Sequence, residues 1–207
     1  MRERLADERP GDAVVGEERG ASGNGPRRWI VDPIDGTKSY VRGVPAWATL
    51  LALEVDGELV VGVASAPALG RRWWASRGSG AFANGEPIRV SEVRRLEDAH
   101  LCSPHEREFE ERGLDAGVRS LAARAWRPSG FADFWGHVLV AEGAVDVMVE
   151  PILAIWDVAA IRPIVEEAGG RVSDLTGNGW VDGAPCVTTN GLLHDEVLAA
   201  FATRSGA

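Results

Sequence analysis

The chain has 207 residues, of which 45% are hydrophobic and 26% are charged, a composition that indicates one large globular domain or two small ones. Its net charge of −9 argues against a general surface for nucleic acid or anionic membranes, so we expect neither as a partner. Cys102 and Cys186 lack the spacing of a disulfide framework or a zinc cluster, and the charged N-terminus lacks a signal-peptide core. We therefore expect a cytoplasmic protein with free thiols.

The first predicted strands each lead into an acidic residue. Residues 13–15 are predicted to form a short strand that runs towards Glu17. Residues 29–31 are predicted to form a buried strand that Pro33 stops, because proline lacks a ladder N–H donor and restricts the residue before it. The chain is therefore expected to turn at Asp32.

Antiparallel hairpins are predicted for the rest of the first half. Residues 48–55 and 58–65 are apolar strands joined by Asp56-Gly57, a dipeptide that is typical of two-residue turns. Residues 81–90 continue the pattern and are predicted to turn at Asn84-Gly85. This part of the chain is therefore predicted to be rich in β-structure, with little helix.

Helix and strand alternate in the second half. Helices are predicted for residues 105–124, 133–142 and 157–168. Strands are predicted near residues 145–150, 171–174 and 186–189. Since such alternation is typical of an α/β layer, we expect two domains, a β-rich metal-binding domain of α+β type at residues 1–96 and an α/β domain at residues 97–207.

Two acids stand on either side of Ile34, directly after the second strand. Asp32 and Asp35 are three residues apart across the predicted turn, so their carboxylates can converge with the Ile34 carbonyl between them. Gly36 and Thr37 are predicted to begin a helix, whose free N–H groups favour an anion. Carboxylates beside an anion site indicate a bound cation. The alternative is that both aspartates are turn or N-cap residues.

Glu17 and Asp157 add to this set of oxygen ligands, because each lies at the edge of a predicted element. Together with Asp32 and Asp35 they form an all-oxygen group, the type that Mg²⁺ selects. The alternative for Asp157 is a helix N-cap. The chain's histidines lack metal-ligand spacing and are predicted to be structural or solvated: His100, His105, His137 and His194.

Three motifs in chain order resemble one family. They are Gly-Glu-Glu at 16–18, Asp-Pro-Ile-Asp-Gly-Thr at 32–37 and Trp-Asp-Val-Ala-Ala at 156–160, and together they resemble the inositol-monophosphatase-like metal-dependent phosphatases. Residues 65–75 and 189–196 look most similar to the bacterial histidinol-phosphatase branch, which removes phosphate from histidinol phosphate in histidine biosynthesis. The resemblance implies the layered αβαβα sandwich of the sugar phosphatases, a homodimer, and a small phosphorylated metabolite as substrate.

The same resemblance implies a role for each site residue. Two Mg²⁺ ions are implied, with Glu17, Asp32 and the Ile34 carbonyl as ligands of the first, and Asp32, Asp35 and Asp157 as ligands of the second. Catalytic roles are implied for Glu17 and for Thr37, whose hydroxyl would orient the attacking water. Substrate contacts are implied for five residues: Gly36, Thr37, Asp133, Glu150 and Asp157.

The resemblance places Asp133 and Glu150 beside the organic half of the substrate, where either could pair with an amine or an imidazolium. The alternative for Asp133 is that it caps its helix. The predicted reaction is hydrolysis of histidinol phosphate to histidinol by two-metal activation of water. Inositol 1-phosphate is the alternative substrate.

Family members carry further helices and an Asp-rich segment before the position of Met1, and no residue in 1–10 matches that segment. Within the family this segment supplies the carboxylate that pairs with the threonine of the second motif, here Thr37. Two hypotheses follow. The chain is an active Mg²⁺-dependent phosphomonoesterase, or it is a catalytically weak remnant that acts as a binding or dimerisation module.

Overall fold

The computed structural model describes residues 1–18 and 20–202, and of Arg2 the backbone alone. Two short 3₁₀ turns lie at Pro67–Leu69 and Leu96–Asp98. The other elements, in chain order, are α1 (Arg2–Glu8), β1 (Ala13–Gly16), β2 (Gly20–Ser22), β3 (Arg27–Asp35), α2 (Thr37–Val41), β4 (Ala48–Val55), β5 (Glu58–Ala66), β6 (Arg71–Ser76), β7 (Ala81–Ala83), β8 (Glu86–Ile88), β9 (His100–Cys102), α3 (Glu106–Glu110), α4 (Asp115–Arg124), β10 (Arg127–Ser129), α5 (Asp133–Ala141), β11 (Val147–Glu150), α6 (Ile155–Val158), α7 (Ile161–Glu167), β12 (Arg171–Ser173), β13 (Cys186–Thr189) and α8 (His194–Phe201).

The first half of the chain forms an eight-stranded sheet in the order β2-β1-β3-β4-β5-β6-β7-β8. From β3 onwards each strand pairs with the next in antiparallel fashion, as the hairpin signals predict. Asp56 and Asn84 have φ angles of 52° and 49°, and each is followed by a glycine that also has a positive φ. The two predicted turns are therefore confirmed, and their residues suit the backbone that such turns require.

Strand β3 does not end where its proline predicts, so the expected turn at Asp32 is wrong. The strand continues through Pro33 to Asp35, and its pairing with β4 shifts: Asp32 lies opposite Leu50, whereas Asp35 lies opposite Ala48. Three steps along β3 thus correspond to two along β4, which is a β-bulge. A bulge tolerates proline because the extra residue makes no ladder hydrogen bond, and the hydroxyl of Thr49 donates to the Pro33 carbonyl at 2.8 Å.

The second half forms a five-stranded sheet in the order β10-β9-β11-β13-β12. Its three predicted strands and the helix at α5 are confirmed. Two predicted helices are each divided in two. Residues 105–124 form α3 and α4, separated at Gly113, whose φ of 67° does not suit a right-handed helix. Residues 155–167 form α6 and α7.

Helices lie between the two sheets and outside the second sheet. In the middle layer, α7 contacts β5 and β6 on one side and β12 on the other, while α5 contacts α7 and β11. On the outer face of the second sheet, α8 packs on β13 and on α4. Helix α1 lies beside the first sheet, where Glu3 borders the same surface cavity as Val31 and Thr49. This arrangement confirms the layered αβαβα sandwich.

One apolar core crosses the predicted domain boundary at residue 96. Ile30 and Leu50 of the first sheet belong to the same buried cluster as Phe134, Ile164 and Val172 from the second half. The division into residues 1–96 and 97–207 stays a prediction. Within residues 1–18 and 20–202, no helix combines the length and the apolar character needed to cross a bilayer.

The first sheet and the middle helices approach closely at Gly62 of β5. A Cβ at this position would lie 2.1 Å from the carbonyl oxygen of Ala160, in the link between α6 and α7. Because the obstructing atom belongs to the backbone, no change of side-chain rotamer could relieve the overlap. We predict that Gly62→Ala lowers the free energy of unfolding by at least about 2 kcal/mol.

Urea unfolding followed by circular dichroism measures this effect. Gly179→Ala is the matched control, because a Cβ there would have no heavy atom within 4 Å. The control should change the unfolding free energy by less than about 0.5 kcal/mol. Equal stability of the two variants would contradict the close approach of β5 to the middle layer.

Candidate metal centre and substrate cavity

The predicted site residues lie together, although they come from distant parts of the chain. They line one cavity of about 240 Å³ at the edge of the first sheet, next to the start of α5 and α6. The predicted residues on its wall are Glu17, Asp32, Ile34, Asp35, Gly36, Thr37, Asp133, Glu150 and Asp157. Their common location is a finding of the structure, whereas the role of each stays a prediction.

The bulge in β3 places two aspartates on this wall. Asp32 is 2% exposed, and its Oδ1 accepts the N–H of Ile34 at 2.9 Å. Asp35 is 6% exposed, and its Oδ2 accepts the N–H of Phe134 at 2.8 Å, from a residue 99 positions away. The alternative of local turn bonding thus fits one contact of Asp32. It does not fit Asp35, which connects β3 to the first turn of α5.

The third aspartate of the group is supplied by α6. Asp157 is the third residue of this short helix, and its Oδ2 accepts the N–H of Ala154 at 2.7 Å. Asp157 therefore does bond the helix N-terminus, as the capping alternative predicts, although Ala154 holds the N-cap position. Capping does not exclude a second role. Asp32, Asp35 and Asp157 each bring a carboxylate oxygen within 4.8 Å of the other two.

These carboxylates repel one another in a poorly solvated place. Burial, followed by the charge of Glu17, raises the pKa of Asp32 to about 7. Burial is also the main reason that the pKa of Asp157 rises to about 6 and that of Asp35 rises well above its ordinary value. None of the three forms an ion pair with an arginine or lysine in the described part of the chain. A bound cation would offset this repulsion.

The donor set fits a divalent ion that prefers oxygen. The oxygens of Asp32, Asp35 and Asp157 are joined on the wall by the exposed carboxylate of Glu17, at the end of β1. The Ile34 carbonyl accepts the Thr37 hydroxyl at 2.8 Å, and a carbonyl oxygen has a second lone pair to offer. Hard oxygen ligands of this kind hold Mg²⁺, Ca²⁺ or Mn²⁺ in preference to softer metals.

Gly36 allows the chain to pass directly from the bulge into α2. Its φ is 76°, and a Cβ would lie 2.8 Å from the Ala46 carbonyl oxygen, so any other residue would be both strained and obstructed. The helix begins at Thr37, whose exposed side chain borders the cavity. The unpaired N–H groups of this first turn therefore lie beside the acidic cluster, where an anion held by a metal would meet them.

Asp133 and Glu150 lie on the part of the wall near the start of α5. The N–H of Asp133 donates to Glu150 Oε1 at 3.1 Å, and burial raises the pKa of both carboxyls. Asp133 is the first residue of α5, after the N-cap Ala132, and the helix has no side-chain capping bond. The capping alternative for Asp133 is therefore wrong. Its φ of 56° is rare for a residue with a side chain.

Three further polar residues line the cavity without having been predicted as site residues: Lys38, Glu108 and His137. Lys38 is the single lysine of the chain and directly follows the motif at 32–37, so its position was a usable signal. His137 lies one helical turn after Asp133 and was predicted to be structural or solvated. Burial lowers its pKa to about 4, and its Nδ1 lies 2.8 Å from the Thr188 hydroxyl. No pattern in the sequence marks Glu108.

The sequence as a whole matches proteins of one family. The model of the inositol monophosphatase family matches residues 1–205. A protein named histidinol-phosphatase from Mycobacterium tuberculosis is 50% identical over 204 residues, which cover 96% of this chain and 78% of the relative. A fructose-1,6-bisphosphatase/inositol-1-monophosphatase from Thermotoga maritima is 38% identical over 190 residues, which cover 91% of this chain and 73% of the relative.

Solved structures agree with this relationship. The extragenic suppressor protein suhB from Bartonella henselae superposes with a TM-score of 0.90 at 32% identity, over 98% of this chain and 80% of that one. An inositol monophosphatase from Zymomonas mobilis superposes with a TM-score of 0.90 at 29% identity, over 98% and 80% of the two chains. The chain belongs to the inositol monophosphatase family, whose members are metal-dependent hydrolases of phosphoric monoesters.

Proposed function

We propose that this phosphatase uses Mg²⁺ and that its substrate is histidinol phosphate, which it converts to histidinol and phosphate. Relatives named histidinol-phosphatase at 50%, 47% and 40% identity support this substrate. Inositol 1-phosphate is the second candidate, because relatives named for inositol-1-monophosphatase activity follow at 38% and 36%. The ranking rests on the difference between these identities.

The observation that carries the catalytic proposal is the group formed by Asp32, Asp35 and Asp157. Their oxygens lie within 4.8 Å of one another, and burial raises the pKa of each carboxyl. Such an arrangement is costly in the absence of a cation, since like charges in a poorly solvated site repel strongly. A bound divalent cation would offset this repulsion.

We assign the ligands as two overlapping sets. Glu17, Asp32 and the Ile34 carbonyl would hold one ion, and Asp32, Asp35 and Asp157 would hold the other. When bound, such ions supply a water of lowered pKa and neutralise the charge that develops on the phosphoryl group and on the leaving oxygen. The all-oxygen donor set supports Mg²⁺ over zinc or copper.

The remaining chemistry comes from the chain itself. The N–H groups of Gly36 and Thr37 would hold the phosphate at the start of α2. The Thr37 hydroxyl donates its proton to the Ile34 carbonyl at 2.8 Å, which leaves its own lone pairs to accept an O–H of the attacking water. Glu17 is exposed and can take a proton from that water. Asp157 would contact the substrate as well as the metal.

The organic half of the substrate would lie against Asp133 and Glu150. Both carboxyls border the cavity, and neither has an arginine or lysine ion pair in the described residues. Histidinol carries a primary amine and an imidazole, which are the groups that such acids attract. Inositol offers only hydroxyl groups, so it would leave these carboxyls uncompensated.

Two further parts of the proposal concern the protein as a whole. We propose a homodimer, which sedimentation at several protein concentrations would test. We also propose that the enzyme works in the cytoplasm. Its two cysteines are buried and free, which is consistent with a reducing compartment.

Asp32→Asn is predicted to lower kcat with Mg²⁺ by at least about 10²-fold, because Asp32 belongs to both proposed ligand sets. The amide oxygen of asparagine can still accept the Ile34 N–H, so the bulge should persist. Asp98→Asn is the matched control, since its side chain is 64% exposed and, among the described residues, forms an ion pair with Arg95 alone. Steady-state hydrolysis measures the difference, and an Asp32→Asn enzyme as active as the control would refute the metal assignment.

The metal-free protein is predicted to gain stability from Asp32→Asn, and the gain should grow as the pH rises from about 4 to about 7. In the folded state the pKa of Asp32 is about 7, above the value of about 3.9 for an exposed aspartate. The folded protein therefore binds a proton that the unfolded chain releases, and the stability due to this group is lost as pH rises through its folded pKa.

Urea unfolding in EDTA at pH 5 and pH 8, for the wild type and the Asp32→Asn variant, measures this gain. Addition of Mg²⁺ should stabilise the wild type much more than the variant, because binding to the folded state alone is stabilising. A difference between the two proteins that does not change with pH would contradict the raised pKa. Equal stabilisation by Mg²⁺ would contradict the ligand role.

A substrate panel tests the rest of the proposal. The value of kcat/KM for histidinol phosphate is predicted to exceed that for inositol 1-phosphate by at least about tenfold, which corresponds to about 1.4 kcal/mol of transition-state binding. The reverse order would favour the second candidate. A folded protein that binds Mg²⁺ but hydrolyses neither compound would favour the hypothesis of a non-catalytic module.

A further inference from the structure

Glu108 is one of the acids that border the cavity, and its charge acts on the two carboxyls at the start of α5 and the end of β11. Burial is the main cause of the raised pKa of Asp133, and the charge of Glu108 adds to it. Burial is also the main cause of the raised pKa of Glu150, to which the charges of Asp133 and Asp35 add more than that of Glu108. Glu108 therefore lies with the acids that face the organic half of the substrate.

Glu108 differs from the other acids of its own segment in having no basic partner. Glu106 and Glu110 both pair with Arg119, and Glu111 pairs with Arg107 at 3.3 Å. Glu108 lies on the side of α3 that borders the cavity, is partly buried, and forms no ion pair with any described residue. Among the acids of residues 106–111, Glu108 is thus the one that borders the cavity without a basic partner.

Beyond the proposed metal ligands, the cavity wall carries more acidic than basic side chains. Two divalent ions would offset the four carboxylates of the proposed metal centre. Glu108, Asp133 and Glu150 would then face Lys38, the one lysine or arginine on the wall in the described residues. Burial raises the pKa of Asp133, and Lys38 opposes that rise. A neutral organic group would leave this excess of negative charge, whereas a cationic group would reduce it.

A second observation indicates that a polar ligand completes this end of the cavity. His137 is 2% exposed and borders the cavity, and its Nε2 has no hydrogen-bond partner in the described residues. Its Nδ1 is already engaged with the Thr188 hydroxyl. An unsatisfied buried polar atom is destabilising, and a bound N–H group or a bridging water would remove that cost.

We propose that Glu108 is a specificity-determining residue, which selects phosphomonoesters whose organic half carries an ammonium or imidazolium group. This inference rests on the proposed function and adds to it a residue from α3 that makes no contact with the metal centre. Because Glu108 is partly exposed, its attraction is screened by solvent and should change affinity by about 5–10-fold. The effect should appear in KM, with little change in kcat.

Product binding tests the proposal without depending on turnover. Calorimetric titration of the Mg²⁺-loaded protein with histidinol should give a Kd that rises about 5–10-fold in Glu108→Gln. The control variant Glu110→Gln removes the same charge from the same helix, where the carboxylate pairs with Arg119 at 3.6 Å, and should bind histidinol like the wild type. Inositol should bind all three proteins equally. Equal histidinol affinity in wild type and Glu108→Gln, or equal losses in both variants, would overturn the proposal.

Kinetics with two simple phosphate esters test the role of Glu108 independently of which metabolite is the natural substrate. Phosphoethanolamine carries an ammonium group and ethyl phosphate does not. The wild type should prefer phosphoethanolamine in KM, Glu108→Gln should weaken that preference, and Glu108→Asp should restore part of it. If histidinol phosphate is not hydrolysed but this pattern holds, the proposed substrate is wrong and the role of Glu108 stands. A wild type without preference for the charged ester would overturn the role of Glu108.

Discussion

The repulsion among three aspartates, of which two are buried and one is partly buried, is the constraint on which the arrangement of this protein depends. Asp32, Asp35 and Asp157 come from a strand and a helix that are far apart in sequence, yet their oxygens lie within 4.8 Å of one another. Backbone N–H groups from Ile34, Phe134 and Ala154 each bond one of them. These bonds hold the carboxylates in position, and a cation must supply the charge that the described residues do not.

The surrounding architecture provides rigid supports for those bonds. The bulge in β3 turns two aspartates to one wall, and its neighbour β4 is held in a sheet of eight strands. The start of α5 has N–H groups without helical partners, and carboxylates satisfy two of them: Glu150 accepts from Asp133, and Asp35 accepts from Phe134. The close approach of β5 to the link between α6 and α7 places Asp157 at the same edge.

Local patterns in the sequence predicted much of this structure. The Asp56-Gly57 and Asn84-Gly85 turns depend on a few neighbouring residues, so their hairpins could be identified from the chain alone. The continuation of β3 through Pro33 could not be predicted from the chain alone. A bulge is defined by the pairing of β3 with β4, and a bulge tolerates a proline that would stop a regular strand. Glu108 was missed for a similar reason. Only the tertiary packing of α3 separates it from the ion-paired acids beside it.

The hydrogen bond from Phe134 to Asp35 has a consequence for how such enzymes diversify. One end of α5 bonds the proposed metal centre through Phe134 and the proposed substrate wall through Asp133, so a mutation that moved this turn would disturb both at once. Within the described residues, no hydrogen bond joins helix α3 to Asp32, Asp35 or Asp157. On the proposed assignment of roles, substrate preference would depend in part on α3 and hydrolysis on the aspartate cluster, so the two properties could change separately.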